Sequence, residues 1–564
     1  MPYALPALTL RHVLKSTAAK YPEHPALSWV GGEPVTYGEF HESAKTVALL
    51  LAEQGIGFGD SVVILAENCP NWGIAYFAIT GMGAVAVPIL TEFHPEAIRY
   101  IIRHSDAKAV FVTEKMFSKI EDAVFDPEPI FFSLESFEVL DQGVSRDRLK
   151  EMKNAGLREF RKLKDKTLRM AQLLPQEPGE DDVAVIIYTS GTMGYSKGVV
   201  LTHKNIVFDA VAVREFFVLG PRDRMLSLLP LPHTYECTLG LVLPVLNGTH
   251  IHYMDKPPTA RALLPALAAV KPTAMLTVPL ILEKIFRNAI LPKLTSGGLV
   301  RFLYAIPALR KLMHKKAGKR LYETFGGELK IVAIGGAPLA PVVEQFLREG
   351  NFPYVVGFGL TECAPLCSGA RVTETRFLSS GYAIEGVAMQ IDEPDANGEG
   401  EILIKGPNVM REYYKSPQDT AEAFTEDGWL RTGDLGRLDA DGFVYIKGRR
   451  KNLILGPSGE NIYPEEVEAI INQANYVAES LVVQHEGKLV ARIHLETEKL
   501  DQEFGNLSDE ERREKELAIV ESVREEANGK VSSFIRIQKA IVQPEPFEKT
   551  PTQKIKRYLY LGIE

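Results

Sequence analysis

Short apolar runs alternate with longer segments of helical spacing through the first part of the chain. Apolar residues recur every three or four positions over 37–54, and Gly55 then follows as a typical residue after a helix end. Each short run is bounded by turn residues, as expected of a buried strand. Such βαβ alternation indicates a parallel sheet covered by helices on both faces. The pattern predicts helices over 37–54, 72–82 and 95–104 and strands over 61–66, 84–89 and 108–112.

A second α/β pattern begins with an apolar run over 183–188, which also has the character of a buried strand. Helix-like segments again separate the apolar runs that follow it. The large N-terminal domain is therefore predicted to hold two similar α/β subdomains, although no tight sequence repeat relates them. Further strands are predicted over 225–229, 249–253, 274–278, 331–334 and 352–356.

The pattern changes after about residue 380, where Asn397-Gly398 and Asp441-Gly442 are hairpin turn signals. A small β-barrel-like unit is expected there, followed by another α/β module. Within that module, Ser508 and Glu511 form a capping-box pattern, and the helix that they open should end near Gly529. The fold prediction is α/β. A large N-terminal domain, 1–450, holds two similar subdomains and the barrel-like unit, and a small mobile domain follows over 451–564.

The composition is typical of a globular protein, with 564 residues of which 45% are apolar and 24% charged. A net charge of −9 argues against a nucleic-acid partner. The four cysteines suggest a reducing compartment. Cys363 and Cys367 have no nearby Cys or His to complete a metal site, which favours buried thiols.

The first residues lack a basic leader and an apolar signal core, so no secretion signal is expected and a cytoplasmic location is predicted. The longest apolar stretch, 69–90, approaches the length of a membrane span. Prolines and glycines interrupt this stretch. A buried helix, a break at Gly83 and a strand explain it better.

The stretch 188–200, YTSGTMGYSKGVV, places hydroxyl residues, a glycine turn and a lysine directly after a predicted strand. Glycines let backbone N–H groups approach a ligand and form an anion-binding nest. Hydroxyls and Lys197 add donors and a positive charge, so a polyphosphate is the simplest ligand. The stretch is not a Walker A motif, because Ser196 stands where the second glycine belongs.

Eight short motifs follow one another along nearly the whole chain. They are YTSGTMGYSKGVVLTHKN (188–205), LPLPHTYE (229–236), IGGAPL (334–339), GFGLTE (357–362), GWLRTGDLG (428–436), GRRKNLIL (448–455), GENIYPEEVE (459–468) and TPTQKIKR (550–557). In this order they resemble the adenylate-forming superfamily of acyl-CoA synthetases, peptide-synthetase adenylation domains and luciferases. One such motif is a weak signal, whereas eight in sequence are a strong one.

The resemblance implies a two-step reaction that uses ATP, Mg²⁺ and coenzyme A. A carboxylic acid attacks the α-phosphate of ATP, pyrophosphate leaves and an acyl-adenylate forms. A thiol then displaces AMP. Because negative charge develops near phosphate oxygens in both steps, fixed donors and cations should dominate catalysis. By this resemblance the β- and γ-phosphates are held by Thr189, Ser190, Gly191, Thr192, Gly194 and Lys197.

The resemblance also assigns groups to the metal and to the reacting atoms. Glu362 corresponds to the magnesium ligand, assisted by Thr189, and a carboxylate suits this hard ion. Thr361 would bond to the α-phosphate. His233 would lie against the acyl carboxylate as a positioning group. It is not expected to act as a general base, since the attacking carboxylate is already ionised.

For the nucleoside, the resemblance gives Asp434 to both ribose hydroxyls, because an acceptor-only carboxylate fits a diol. Arg449 would donate to the ribose as well. Phe358 would stack on the adenine. The family's adenine-binding segments correspond here to Gly336, Ala337 and Pro338 and to Gly357, Phe358 and Gly359.

Lys554, in TPTQKIKR, corresponds to the catalytic lysine of adenylation, whose point charge bridges the carboxylate and the phosphate. Lys451 falls where the family hinges. The resemblance therefore implies a C-terminal domain that swings between two orientations. One orientation presents Lys554, and the other opens a path for the thiol.

Some residues depart from the family's common pattern. Ser196 replaces a proline in the loop, so its backbone is expected to be less rigid, and Gln553 replaces the glycine before the catalytic lysine. Gln553, together with Glu236 after His233-Thr-Tyr, is most similar to the long-chain fatty acyl-CoA synthetase branch. The predicted function is therefore AMP-forming ligation of a medium- to long-chain fatty acid to coenzyme A.

There are five alternatives to this function. Within the family, the enzyme could stop at acyl-AMP, pass the acyl group to a carrier-protein thiol, or use another hydrophobic carboxylic acid. A nucleotide-binding membrane adaptor without catalysis would be expected to lack Lys554, Glu362 or Asp434, and all three are present. A general ATP hydrolase would release ADP and phosphate.

Two stretches, 149–170 and 281–325, are basic and amphipathic. Such helices can lie on an anionic membrane surface, although a solvated helical face explains them equally well. Surface docking would suit an enzyme whose acid comes from a membrane. Peripheral association at a membrane is therefore the open alternative to a purely cytoplasmic location.

Overall fold

The structure is a computed structural model that describes residues 5–140, 177–189, 196–455, 461–531, 535–550 and 554–562. The chain forms two compact units. The first comprises Met1–Ala388 and Ile404–Leu430, and the second comprises Met389–Leu403 and Arg431–Glu564. The basic segment 149–170 lies outside the described residues.

The first unit contains two seven-stranded sheets, as the two α/β patterns predict. In one of them, the four strands from Val85–Pro88 to Ile130–Ser133 run parallel, and the strand Val183–Thr189 joins them in the same direction. At the other edge of the sheet, Lys197–Thr202 pairs antiparallel with Val183–Thr189, and Glu412–Tyr413 pairs antiparallel with Lys197–Thr202. Its spatial order is Glu412–Tyr413, Lys197–Thr202, Val183–Thr189, Val85–Pro88, Ser61–Leu65, Ala109–Val112 and Ile130–Ser133.

The other seven-stranded sheet is parallel except at one edge, where Val35–Thr36 pairs antiparallel with its neighbour. Its strands Ala274–Thr277 and Ile331–Ile334 are fully buried and almost continuously apolar, as expected for a sheet covered on both faces. Its spatial order is Tyr354–Val356, Ile331–Ile334, Ala274–Thr277, Arg224–Ser227, His250–Tyr253, Pro25–Trp29 and Val35–Thr36.

The longest apolar stretch of the chain forms the predicted buried helix, and Trp72 and Tyr76 on it are completely buried. No helix among the described residues is both long and apolar enough to cross a membrane. The α-helices of this unit are Leu10–Lys20, Tyr37–Glu53, Pro70–Gly81, Pro95–His104, Glu114–Phe117, His203–Ala212, Thr234–Glu236, Leu243–Asn247, Ala260–Val270, Pro279–Ile285, Leu291–Leu294, Gly298–Ala305, Pro307–Thr324, Pro341–Glu349 and Pro417–Ala423.

The strand Lys197–Thr202 was not predicted from the sequence. It pairs antiparallel with Val183–Thr189, so the glycine-rich motif connects the two strands of a β-hairpin. Thr189 and Lys197 lie opposite each other at the end of that pairing. The tip of the hairpin, 190–195, lies outside the described residues.

The second unit begins with a four-stranded sheet whose turns contain the predicted Gly398 and Gly442, both with positive φ. A two-stranded and a three-stranded sheet follow. Ser508 and Glu511 form the predicted capping box, and the helix that they open ends at Asn528, with Gly529 as its C-cap. The strands are Ala388–Asp392, Gly400–Lys405, Leu430–Leu438, Val444–Arg449, Ile454–Leu455, Asn461–Ile462, Val477–His485, Lys488–Leu495 and Lys539–Val542, and the α-helices are Pro464–Ile471, Thr497–Phe504 and Asp509–Asn528.

Packing therefore groups most of the four-stranded sheet with the C-terminal segment. The sequence prediction instead divides the domains between residues 450 and 451, which assigns this sheet to the N-terminal domain. That division was inferred from expected motion about Lys451, and packing does not test motion. The predicted hinge stays a prediction.

A three-stranded antiparallel sheet in the first unit carries the GFG segment on one of its strands. Its strands are Phe358–Gly359, Leu366–Gly369 and Tyr382–Ala383. Gly381 precedes the last of them with φ of +82°, and a Cβ atom added there would lie 2.1 Å from the carbonyl oxygen of Gly369. Only glycine permits this approach of the two strands.

We expect Gly381→Ala to lower the free energy of unfolding of the first unit by about 3 kcal/mol, from positive-φ strain together with the backbone clash. Gly55→Ala is the matched control, because Gly55 has φ of +78° and open space around its Cβ direction. The control should cost only about 1 kcal/mol. Denaturant midpoints followed by tryptophan fluorescence measure both effects. Equal costs for the two variants would contradict the role of the Gly369 contact.

Candidate active site

Of the residues assigned to the phosphates, the structure describes the two at the base of the hairpin. The Thr189 hydroxyl donates to the Lys197 carbonyl oxygen at 3.5 Å. The Lys197 ammonium group pairs with Asp419 at 2.5 Å, and the Ser416 hydroxyl donates to the other carboxylate oxygen of Asp419. Lys197 is thus held in place by an acid while part of its side chain stays exposed. Ser190, Gly191, Thr192 and Gly194 lie outside the described residues.

Tyr413 connects this lysine to the candidate metal ligand. Its strand pairs with the second strand of the hairpin, with Tyr413 opposite Val199. The Lys197 ammonium group lies 5.3 Å from the centre of the Tyr413 ring. The Tyr413 hydroxyl donates to Glu362 Oε1 at 2.8 Å. One side chain therefore contacts both the cation of the hairpin and the carboxylate of the GFGLTE motif.

Glu362 lies in a single 3₁₀ turn, Thr361–Cys363, directly after the strand Phe358–Gly359. Its backbone carbonyl accepts from the Met410 amide at 2.7 Å, which fixes the turn. Both Thr361 and Glu362 are half-buried. Among the described residues, the second carboxylate oxygen of Glu362 has no protein hydrogen-bond donor.

A magnesium ion fits this environment. Within the described ranges, no three His, Cys, Asp or Glu side chains gather closely enough to hold a metal by themselves. Magnesium is commonly bound by one or two carboxylates together with substrate phosphates and water. Glu362 offers one anchored carboxylate with an oxygen to spare, which matches that mode of binding.

The segments assigned to adenine follow two neighbouring parallel strands, Ile331–Ile334 and Tyr354–Val356. Their carboxyl ends meet at one sheet edge, where ligands of α/β proteins commonly bind. The first of these segments is exposed, and Gly336 has φ of +86°. Phe358 lies on the second segment and is largely buried. The residues brought to this edge are Gly336, Ala337, Pro338, Gly357, Phe358 and Gly359.

The loop that carries His233 is fastened by a buried polar network. The Ser227 hydroxyl donates to Glu236 Oε1 at 2.6 Å, and the Asn68 amide group donates to Ser227 Oγ at 3.0 Å. Asn68 also donates to the Leu229 carbonyl and accepts from the Leu231 amide. Asn68, Ser227 and Glu236 thus hold both ends of the loop, and His233, at the start of the helix Thr234–Glu236, is half-buried.

Glu236 is 1% exposed, and burial raises its pKa to about 8. Its carboxyl group is therefore protonated near neutral pH. Its second oxygen, Oε2, has no hydrogen-bond partner among the described residues. A carboxylate at this place would be a buried, poorly compensated charge.

The two groups assigned to the ribose face each other in the second unit. Asp434 and Arg449 are opposite residues on antiparallel strands, and Arg449 Nε lies 2.8 Å from Asp434 Oδ1. Asp434 is buried, and its amide donates to the Thr432 hydroxyl, which itself bonds to the neighbouring strand. The structure thus presents a rigid, preformed carboxylate–guanidinium pair.

Lys451 follows this pair closely, and burial lowers its pKa, with the nearby charges of Arg449 and Lys554 adding to the effect. The Asp434 carboxylate acts in the opposite direction. Lys554 itself is exposed, and its backbone exchanges hydrogen bonds with Thr550. The predicted hinge lysine and the predicted catalytic lysine therefore lie within electrostatic range of each other in the second unit.

Four residues at these sites were missed by sequence reasoning. Tyr413 and Asp419 lie in a segment without a motif, and Asn68 and Ser227 occur singly in unremarkable runs. Each acts through a partner that is distant in sequence. The only available signal was the two adjacent tyrosines of REYYKS, which does not indicate a partner.

We expect Glu236→Gln to stabilise the first unit at alkaline pH. The folded-state pKa lies above the unfolded value of 4.5. The wild type therefore loses stability as the pH rises from about 4.5 to about 8, by a few kcal/mol in total, and the neutral amide does not. Denaturant midpoints across this pH range measure the divergence. Glu53→Gln, at an exposed helix end, is the control. Parallel curves for wild type and Glu236→Gln would show that the carboxyl group is not buried in its neutral form.

Comparison with known proteins places this geometry in a family. A model of the family described as AMP-binding enzyme matches residues 14–414. One relative is long-chain-fatty-acid–CoA ligase heimdall of Drosophila melanogaster, 28% identical over 83% of this chain and 73% of that protein. Another is long-chain-fatty-acid–CoA ligase FadD15 of Mycobacterium bovis, 28% identical over 93% of this chain and 90% of that protein.

Solved structures share the fold. The o-succinylbenzoate CoA synthetase of Bacillus subtilis, in complex with its acyl-adenylate intermediate, has a TM-score of 0.72 at 22% identity and covers 98% of both chains. The Mycobacterium tuberculosis fatty acyl CoA synthetase has a TM-score of 0.65 at 24% identity, again over 98% of both chains. The family match spans well over half of the 564 residues. The chain belongs to the AMP-binding enzyme family.

Proposed function

We propose that this enzyme ligates a fatty acid, medium- to long-chain, to coenzyme A in an ATP-dependent, AMP-forming reaction through an acyl-adenylate. The observation that carries the proposal is the contact of Tyr413 with both Lys197 and Glu362. It joins a polyphosphate-type hairpin to a magnesium-type carboxylate. The fatty-acid part of the proposal is supported by relatives that are named long-chain-fatty-acid–CoA ligases.

In the first step, a carboxylate oxygen of the acid attacks the α-phosphorus of ATP. The bond from that phosphorus to the bridging oxygen breaks, and pyrophosphate leaves with the electron pair. Lys197 and the hydroxyl of Thr189 would hold the departing phosphates, and Thr361 would donate to the α-phosphate. The attacking carboxylate carries no proton at neutral pH, so the step needs no general base. His233 would therefore only position the acid.

Glu362 would hold the magnesium ion, with Thr189 assisting. When bound, the ion would offset phosphate charge. The protein's own contribution is to orient the Glu362 carboxylate through the Tyr413 hydroxyl and through the anchored backbone of the 3₁₀ turn. Such preorganised groups stabilise developing charge without reorganising during the reaction.

The nucleoside would be recognised by two charged side chains at the ribose and one aromatic side chain at the adenine. Asp434 would accept from the ribose hydroxyls, and Arg449 would both orient Asp434 and donate to the ribose. Phe358 would contact the adenine from the sheet edge. These are proposals from the family's motifs, supported by the preformed Asp434–Arg449 pair.

In the second step, the coenzyme A sulfur attacks the acyl carbon as the thiolate, its proton having passed to solvent. The bond from that carbon to the phosphate oxygen breaks, and AMP leaves with the electron pair. We propose that Lys554 acts only in the first step and that the C-terminal domain, 451–564, moves about Lys451 between the steps. The enzyme would work in the cytoplasm, peripherally at an anionic membrane, because long-chain acids partition into bilayers. The free state of Cys69, Cys237, Cys363 and Cys367 agrees with a reducing compartment.

The decisive experiment is a product assay with ATP, Mg²⁺, coenzyme A and saturated acids of increasing chain length. We expect AMP, pyrophosphate and an acyl-CoA thioester in equal amounts, with longer acids preferred. If no acid yields pyrophosphate, the proposal is wrong. Pyrophosphate without a thioester would favour the alternative hypothesis, in which the enzyme stops at acyl-AMP or uses a carrier-protein thiol. Preference for a non-fatty hydrophobic acid would correct the substrate alone.

We expect Lys554→Ala to lower the rate of acid-dependent pyrophosphate release by at least about a hundredfold, since it removes a charge that stabilises the transition state. Thioester formation from supplied acyl-adenylate should stay close to the wild-type rate. Lys556→Ala is the matched control, because Lys556 is a nearby lysine that pairs with Glu548 on the surface. Equal loss of both half-reactions in Lys554→Ala would count against the two-orientation proposal.

We expect Tyr413→Phe to lower kcat/KM for MgATP by about tenfold, because Glu362 loses a charge-assisted hydrogen bond. The variant should also need more magnesium for half-maximal activity. Tyr414→Phe is the control, since the adjacent hydroxyl donates to Asp106 at 3.2 Å. If the magnesium dependence is unchanged in Tyr413→Phe, the Tyr413 hydroxyl does not orient Glu362 for binding the metal.

A further inference from the structure

Two consecutive helices of the first unit, Gly298–Ala305 and Pro307–Thr324, present an apolar surface to solvent. No residue of the shorter helix is buried. Leu299 is 72% exposed, Phe302 66% and Leu312 65%. Leu299 and Phe302 are three positions apart and therefore lie on the same side of the helix. We call the exposed surface of these helices over residues 298–320 the 298–320 face.

This face is strongly basic although the whole chain has a net charge of −9. Between positions 298 and 320 there are seven lysines and arginines and no aspartate or glutamate. Lys311, Lys315 and Lys316 are exposed on the longer helix, where their spacing places them along one side with Leu312. Cations thus flank a large apolar side chain on the longer helix, which directly follows the helix that carries Leu299 and Phe302.

The opposite side of the longer helix is firmly attached to the unit. Arg310 pairs with Glu349 at 3.0 Å, and the Tyr304 hydroxyl bonds to the buried His314 at 2.9 Å. Gly318 packs so closely on the backbone of Gly350 that an added Cβ would lie 2.4 Å from its carbonyl oxygen. The orientation of both helices is therefore fixed, and the exposed residues cannot turn inward without breaking these contacts.

We propose that the 298–320 face docks on an anionic lipid bilayer, with Leu299, Phe302 and Leu312 entering the interface and the lysines binding lipid phosphates. Amphipathic helices that carry Lys and Arg beside Leu and Phe lie in such interfaces. A second copy of this chain is a poor occupant, because self-association would bring two sets of like charges together. A nucleic acid would leave the apolar side chains without a partner.

The docking surface contains none of the catalytic residues. It rests on the proposed function only for the reason why the enzyme would bind a membrane. Long-chain acids are held in membranes, so an enzyme docked there would meet its substrate at a high local concentration. The structure assigns this surface to the 298–320 face. The other basic stretch, 149–170, lies outside the described residues.

The test is co-sedimentation of the full chain with vesicles at low salt. One set of vesicles contains phosphatidylcholine alone, and the other contains equal amounts of phosphatidylcholine and phosphatidylglycerol. We expect binding to the anionic vesicles that weakens steeply as salt is added, since screening reduces the attraction. Binding to the neutral vesicles should be much weaker.

Two variants separate the contributions. The triple variant Lys311→Gln, Lys315→Gln, Lys316→Gln should bind anionic vesicles roughly a hundredfold more weakly, because each basic residue near the surface contributes about fivefold. The double variant Leu299→Ser, Phe302→Ser should bind at least about tenfold more weakly. The matched controls change exposed residues of the same unit elsewhere. They are Lys15→Gln, Lys45→Gln, Lys256→Gln for charge and Val124→Ser, Val218→Ser for apolar surface.

Activity on a short, water-soluble acid in the absence of lipid should be unchanged in every variant, which shows that each one is folded. The proposal is overturned if the wild type does not bind anionic vesicles, if neutral vesicles bind equally well, or if the face variants bind like their controls. A change of oligomeric state in the face variants, with lipid binding intact, would instead make the face a protein interface. Failure of the product assay would leave the vesicle result standing, so the two proposals fail separately.

Discussion

Backbone hydrogen bonds between the hairpin strand Lys197–Thr202 and the short strand Glu412–Tyr413 join parts of the chain that are far apart in sequence. This edge pairing fixes Tyr413, whose ring lies beside the Lys197 ammonium group and whose hydroxyl reaches Glu362. Without it, the cation of the hairpin and the carboxylate of the 3₁₀ turn would be positioned independently. A site that must hold a polyphosphate and a divalent ion together needs these groups at a constant separation, and the pairing provides it.

A second constraint acts on the His233 loop, which is held by Asn68, Ser227 and Glu236. Here the fold uses a protonated carboxylic acid as a structural group. The two arrangements differ in character. At Lys197 and Glu362 charges are kept near the surface, where phosphates can reach them. At Glu236 the charge is suppressed, because a buried carboxylate would oppose the packing around it.

Much of the fold was predictable because buried parallel strands are short, apolar and bounded by turns. The strand Ile331–Ile334 and the helix Pro95–His104 were both predicted with the bounds that the structure has. The strand Lys197–Thr202 was missed because the residues around Lys197 were interpreted as part of an anion-binding loop. The motifs led to Asp434 and Arg449 separately. Their direct pairing follows from the antiparallel register around the Asp441-Gly442 turn. Tyr413 could not be found, since its role arises only from tertiary pairing.

The second unit is discontinuous in sequence, because the chain crosses between the units after Ala388, after Leu403 and after Leu430. A fragment ending at residue 450 would therefore retain the four-stranded sheet but lack the segment that packs on it. An isolated 451–564 fragment would lack the sheet in turn. The unit that can be exchanged between related proteins is consequently not a continuous C-terminal segment. A chimera that keeps the second unit intact needs three junctions. If only the residues after 450 are exchanged, they have to pack against a sheet that comes from a different protein.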